Sequence, residues 1–230
     1  MTELELLIRL LGIVSVVLSL AILFLFIKVY RLQRSVILFG LPLGFFFLAV
    51  SYFLLAVHLI YTSSVITDFS SILMWLRVVS QTIGFTLIAV SYFLSGKSKG
   101  TTTRSSFFTI CLWSMVGVIS IMAILLLVNP EGLSSIYSFN QLFTITNLAV
   151  LSYILFFIVR NLEISESSVS SLISAPVAFA FIWLGQFSFL IWKIDGGQAS
   201  LVGSQIATII GLALFLRVYY MACKRCNQTT

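Results

Sequence analysis

GFTLIAVSYFL, residues 84–94, echoes GFFFLAVSYFL, residues 44–54. Both stretches are apolar and too long for a buried strand. Both lie inside apolar runs of about 20 residues, the length that crosses a hydrocarbon core. Gly44 and Ser51, like Gly84 and Ser91, stand seven apart on one helical face, where small residues let two backbones approach. Neighbouring spans run in opposite directions, so the echo reads either as a duplication or as packing chemistry written twice. A fainter form, NLAVLSY, occupies residues 147–153.

Working outward, five more runs of the same kind appear. The expected helices cover residues 6–27, 36–59, 72–94, 107–128, 136–159, 169–192 and 199–220. The breaks between them are short: SGKSKGTTTRSS, the Asn129–Pro130–Glu131–Gly132 turn, RNLEISESS, and a tight turn at Lys193-Ile-Asp-Gly-Gly197. Pro42 and Pro176 lie inside expected helices, where they could kink them. The start, MTELELLIRLLG, lacks the basic n-region and small-residue cleavage site of a signal peptide, so the first run is expected to be retained. The whole chain is expected to form a single transmembrane domain.

Composition leaves little room for a soluble fold. Of 230 residues 60% are hydrophobic and only 9% charged, against about 25% charged in soluble domains; the mean hydropathy is +1.14. The net charge of +6 sits in short loops, which points to orientation against a bilayer rather than to nucleic acid. Seven crossings place Lys28, Arg31, Arg34, Lys97, Lys99, Arg104, Arg160, Arg217, Lys224 and Arg225 on one side. Lys193 falls on the other side, with Arg9 and Arg77 inside their runs near it. The expected fold is an all-α integral membrane protein of the plasma membrane, a seven-transmembrane-helix bundle with its N-terminus outside and its C-terminus cytoplasmic.

Polar side chains at membrane depth are costly and tend to face protein or a water-filled cavity. Run three carries Arg77, Ser80, Gln81 and Gly84 on one stripe. Run five carries Asn140, Gln141, Thr144 and Asn147; run six carries Gln186; run seven carries Ser204, Gln205 and Thr208; and His58, the only histidine, ends run two. At 1.5 Å per residue most of these fall in the outer half, with Asn147 near the middle. Two readings follow. One is an outward-opening ligand pocket made by Arg77, Gln81, Gln141, Asn147, Gln186 and Gln205. The other is a set of cross-helix hydrogen bonds, with Arg77 snorkelling to the headgroups.

Several chemistries lack their residues. A retinal pigment needs a lysine within the last helix, whereas Lys193 is expected in the preceding loop and run seven, residues 199–220, has none. No acid lies centrally in any run, as coupled pumps often require. A single histidine excludes bis-histidine haem ligation within the chain. No HExxH, GxSxG or P-loop is present; the chain is not expected to be an enzyme, and no cofactor or metal is expected. Of the three cysteines, Cys111 lies in an apolar run, while Cys223 and Cys226 form Cys-Lys-Arg-Cys past run seven. That pair is open to acylation, to metal or partner contact, or to a plain interfacial role.

In helix count, outside N-terminus, short loops and aromatic-rich runs, the chain resembles the seven-helix membrane sensing modules that precede histidine kinases in microbes. The chain continues ten residues beyond run seven, so the resemblance implies signalling through a separate membrane or cytoplasmic protein. The three-helix repeats and proline–glutamine loops of the small-carbohydrate transporters are not visible. The function expected is therefore a receptor-like sensor, or signalling partner subunit, that binds a small ligand in the outer polar pocket. A small-solute transporter or facilitator, and a structural subunit of a larger membrane assembly, are the alternatives. Lipids, a protein partner and possible self-association are expected; nucleic acid is not.

Overall fold

In the computed structural model of the protein, the seven runs are α-helices: α1 (Glu3–Gln33), α2 (Gly40–Tyr61), α3 (Thr67–Lys97), α4 (Arg104–Val128), α5 (Ile136–Ile164), α6 (Ser174–Asp195) and α7 (Gln198–Gln228). The structure describes residues 3–33, 40–61, 67–97, 104–128, 136–164 and 174–228. The side chains of Asn140, Cys111, Cys223 and Cys226, and the turn at residues 129–132, lie outside what it describes. No strand occurs among the described residues. Six helices, all but α4, contain described stretches of 19–23 residues long and apolar enough to cross a bilayer. In α4 the described apolar stretch is Leu112–Ile121. The chain is an all-α, multi-pass membrane protein.

Most helices run past their apolar cores. Thr67 starts α3 five residues before the expected start at 72, because a nucleated helix gains one hydrogen bond per added residue and continues into polar flanks. As described, α2 and α6 begin at Gly40 and Ser174; the expected starts, at residues 36 and 169, fall outside the described residues. Pro42 and Pro176 stand in the first turns of their helices. There the missing N–H has no intrahelical partner to lose and the fixed φ suits helix initiation.

Only Gly196 and Gly197 separate α6 from α7. Gly196 takes φ +68°, and its N–H donates to the Trp192 carbonyl at 2.8 Å. This is the left-handed helix ending that glycine permits without a Cβ clash. The expected tight turn is therefore present, but Lys193 is not in it. Lys193 occupies the last turn of α6, where a cation meets the negative end of the helix dipole.

The helices close a ring in the order α1–α2–α3–α5–α6–α7–α1, and α4 lies outside it against α3. Direction can be read from side chains. Val78 of α3 packs on Phe143 of α5, while Phe85 and Ile88 share a larger cluster with Leu151 and Ile154. The two helices thus run parallel, so α4 must carry the chain back through the thickness of the bundle. It does so with its apolar face outward: Trp113 is 66% exposed.

Closest approach occurs where the echoed stretches meet. A Cβ on Gly44 would stand 2.9 Å from the Gly84 carbonyl oxygen, and one on Gly84 would stand 2.9 Å from that of Gly44. The two glycines face each other across the α2–α3 contact, which accounts physically for their presence in both stretches. Gly185 and Gly211 act similarly between α6 and α7, against Thr208 and Ser204 and against Ala178 and Ile182.

One end of the ring interior is filled by aromatic rings. Phe26, Phe45, Phe215 and Tyr219 form a closed cycle with centroid separations of 5.2, 5.4, 5.7 and 4.3 Å. Phe179 packs edge-on to Phe215 at 4.6 Å, and Tyr92 edge-on to Phe179 at 5.7 Å. These six rings come from α1, α2, α3, α6 and α7. All lie towards the end of the bundle that carries Lys28 and Arg217, here termed the basic end. The other end holds Ile8, Leu55, Met74, Phe189 and Leu201 in a smaller cluster.

A cross-helix bond ties α5 to α6: Trp183 Nε1 donates to Ser152 Oγ at 3.0 Å, with Trp183 stacked on Phe187. Ser152→Ala should lower stability by about 0.6 kcal/mol, the mean for such bonds in membrane bundles. Equilibrium unfolding in mixed micelles measures it, and an unchanged midpoint would show the bond to be idle.

Candidate functional site

Hydroxyls and long polar side chains meet different fates in this interior. Ser15, Thr82, Ser91 and Thr208 each donate to the carbonyl four residues back, at 2.7–3.0 Å. Such groups satisfy themselves on their own helix. A glutamine, asparagine or arginine places its polar atoms too far out to do so and must find a partner elsewhere. Gln81 Nε2, Asn147 Oδ1, Gln186 Oε1, Gln205 Oε1 and Arg77 Nε are all buried without a hydrogen-bond partner among the described residues. Nearby on α2, Ser51 Oγ and the Tyr52 hydroxyl are in the same condition, as is Ser19 Oγ on α1. Buried polar groups are usually paired, so this concentration marks the region.

Each group is delivered by a specific helix. Arg77 and Gln81 are four apart on the buried stripe of α3, Asn147 follows Thr144 on the buried face of α5, Gln186 follows Gly185 on α6, and Gln205 follows Ser204 on α7. All five side chains are 3% exposed or less, and all sit on the side of the aromatic layer away from the basic end. Gln141, also expected in the site, is only half-buried and lies towards the rim. Arg77 does not snorkel: it is 2% exposed. The polar first turns of α3 are helical and place it ten residues from the helix start, deeper than the apolar run alone implied.

Arg77 is the electrostatic centre. Its guanidinium carbon lies 4.2 Å from the Phe189 ring centroid, and among the described residues its Nη1 donates to the weak acceptor Met74 Sδ at 3.9 Å. The Tyr52 hydroxyl is within electrostatic range of it. Lys193 Nζ lies 5.3 Å from the same Phe189 ring and 5.5 Å from that of Trp192. Two cations therefore converge on one phenyl ring. Among the described residues, no carboxylate pairs with Arg77. Burying a cation costs several kcal/mol, whereas a desolvated cation–π contact returns about 2 kcal/mol. The ring alone does not neutralise the site.

Lys193, Phe189 and Tyr52 were not expected in the site. For Lys193 a signal existed, since a basic residue just before a Gly-Gly helix ending is characteristic of a last turn. Phe189 and Tyr52 gave none, being aromatics among many in apolar runs. No group of three or more metal-ligating side chains occurs among the described residues. Comparison with family models, with curated proteins and with solved structures finds no match.

Proposed function

We propose that this protein is a receptor-like membrane sensor, or the sensing subunit of a signalling pair, that binds a small anionic ligand at the buried polar layer. In this reading all seven helices cross the plasma membrane, with the basic end cytoplasmic and the N-terminus outside. The observation that carries it is the buried Arg77 guanidinium, set on Phe189 beside Lys193 without a described carboxylate. An anion bound there receives charge from Arg77. Gln81, Asn147, Gln186 and Gln205 orient its polar atoms, and Gln141 lies towards the outer rim.

Neutralising Arg77 changes the balance between α3 and α6, which meet through Phe189. Because α6 and α7 are locked by the Gly185 and Gly211 contacts, a shift of α6 carries α7 with it and alters the cytoplasmic ends. The six-ring aromatic layer favours sensing over transport, since it fills the bundle interior between the polar layer and the basic end.

The test is thermal unfolding of the full chain in mild detergent with added acetate, lactate, succinate, glutamate or inorganic phosphate. A bound anion at a hundred times its dissociation constant stabilises by about 2.7 kcal/mol. Gln81→Leu and Asn147→Leu should fold yet lose that stabilisation. Stabilisation that persists in both variants, or its absence with every anion, overturns the proposal.

A further inference from the structure

A second site lies at the seam where the ring closes, remote from the polar layer. Between α1 and α7 runs a groove of about 630 Å³ lined by Ala21, Phe24, Leu25, Lys28, Ala213, Leu216, Arg217 and Tyr220. Ala21 and Ala213 set its apolar end, and their small side chains leave the space between the two helices open. Lys28, Arg217 and Tyr220 stand at the other end. Ala21 to Lys28 and Ala213 to Tyr220 are both seven-residue steps, about 10 Å of helix. The walls are therefore in register, and they extend across most of one leaflet of a core about 30 Å thick.

We propose that this seam binds one anionic phospholipid, its phosphate between Lys28 and Arg217 and one acyl chain along Ala21, Phe24, Ala213 and Leu216. The match is of two kinds. Charge is confined to one end of an otherwise apolar groove, as in the ligand, and both cations are exposed, so they can meet a headgroup without being desolvated first. The guanidinium gives planar, forked donors to a phosphate, and the ammonium adds a point charge. Tyr220 supplies a hydroxyl at headgroup level, where amphipathic aromatics are favoured. The bound lipid bridges the first and last helices of the ring and so stabilises its closure.

Native mass spectrometry of the full chain, released from mild detergent containing equal phosphatidylglycerol and phosphatidylcholine, tests the proposal. The expected result is preferential retention of one phosphatidylglycerol. Lys28→Gln or Arg217→Gln should reduce that retention about fivefold, and the pair together about thirtyfold. Ala213→Phe, which fills the groove and leaves both charges, should reduce retention of both lipids. Soluble glycerol phosphate at the same concentration should not displace the lipid. Equal retention of the two lipids by the wild-type chain, or undiminished phosphatidylglycerol on the double variant, overturns the assignment.

Discussion

Gly84→Leu should leave the protein unable to assemble its α2–α3 pair, with a loss of about 3 kcal/mol or more. Overpacking a well-filled core commonly costs 1–3 kcal/mol when side chains can shift. Here the obstacle is the Gly44 carbonyl oxygen, 2.9 Å from the new Cβ, with Leu48 at 3.0 Å behind it. Backbone cannot move aside without separating the helices. Gly44→Leu should behave alike, because it meets the Gly84 carbonyl oxygen and Ile88 in the reciprocal arrangement. Gly117→Leu is the control: nothing lies within 4 Å of its Cβ position on α4, so the change should stay within about 0.5 kcal/mol. Unfolding in mixed micelles compares the three. If Gly84→Leu unfolds at the wild-type midpoint, the helices do not meet as described.

That pair also shows where reading a sequence succeeds and where it stops. The runs at residues 44–54 and 84–94 were legible as spans because hydropathy is a local property and the bilayer sets the length. The small residues on their shared faces were legible as packing chemistry. That Gly44 and Gly84 meet each other was not, since partner and register belong to the assembled bundle. The same limit hid the position of α4: its apolar run resembles the rest, and only its neighbours show that it lies outside the ring. Lys193 reads as a loop residue because run boundaries are drawn by hydropathy, and hydropathy does not distinguish the last turn of a helix from the loop that follows it.

The site was partly legible for a related reason. Arg77, Gln81, Asn147, Gln186 and Gln205 stand out against hydrocarbon, and counting residues from each run's end placed all but Asn147 in one half of the bundle, with Asn147 near the middle. Their burial follows from the cost of exposing them to lipid. Phe189 and Tyr52 differ from a score of neighbouring aromatics only by what they face. Lys193 was displaced by one turn, which moved a second cation from a solvated loop to the ring under Arg77.

Arg77→Met should make the protein more stable while removing its response to anions, a combination that a purely structural arginine cannot give. Two terms decide the sign. The buried guanidinium loses its hydration, a penalty of several kcal/mol after relaxation. Against this stand a cation–π contact of about 2 kcal/mol and a hydrogen bond to a weak sulfur acceptor. The penalty is the larger, so an apolar side chain of similar length should stabilise the fold by about 1–4 kcal/mol. Arg77→Lys should lie below the methionine variant, because the ammonium keeps the charge but loses the flat face that stacks on Phe189. Phe189→Leu should weaken the wild-type protein by about 2 kcal/mol and the Arg77→Met protein by less, the difference measuring the ring–cation coupling. Unfolding midpoints of the three single variants and the double variant decide the matter. Should Arg77→Met lose more than about 1 kcal/mol, the guanidinium is satisfied within the fold. It would then be a structural cross-helix group, and the anion site would have to be abandoned with it.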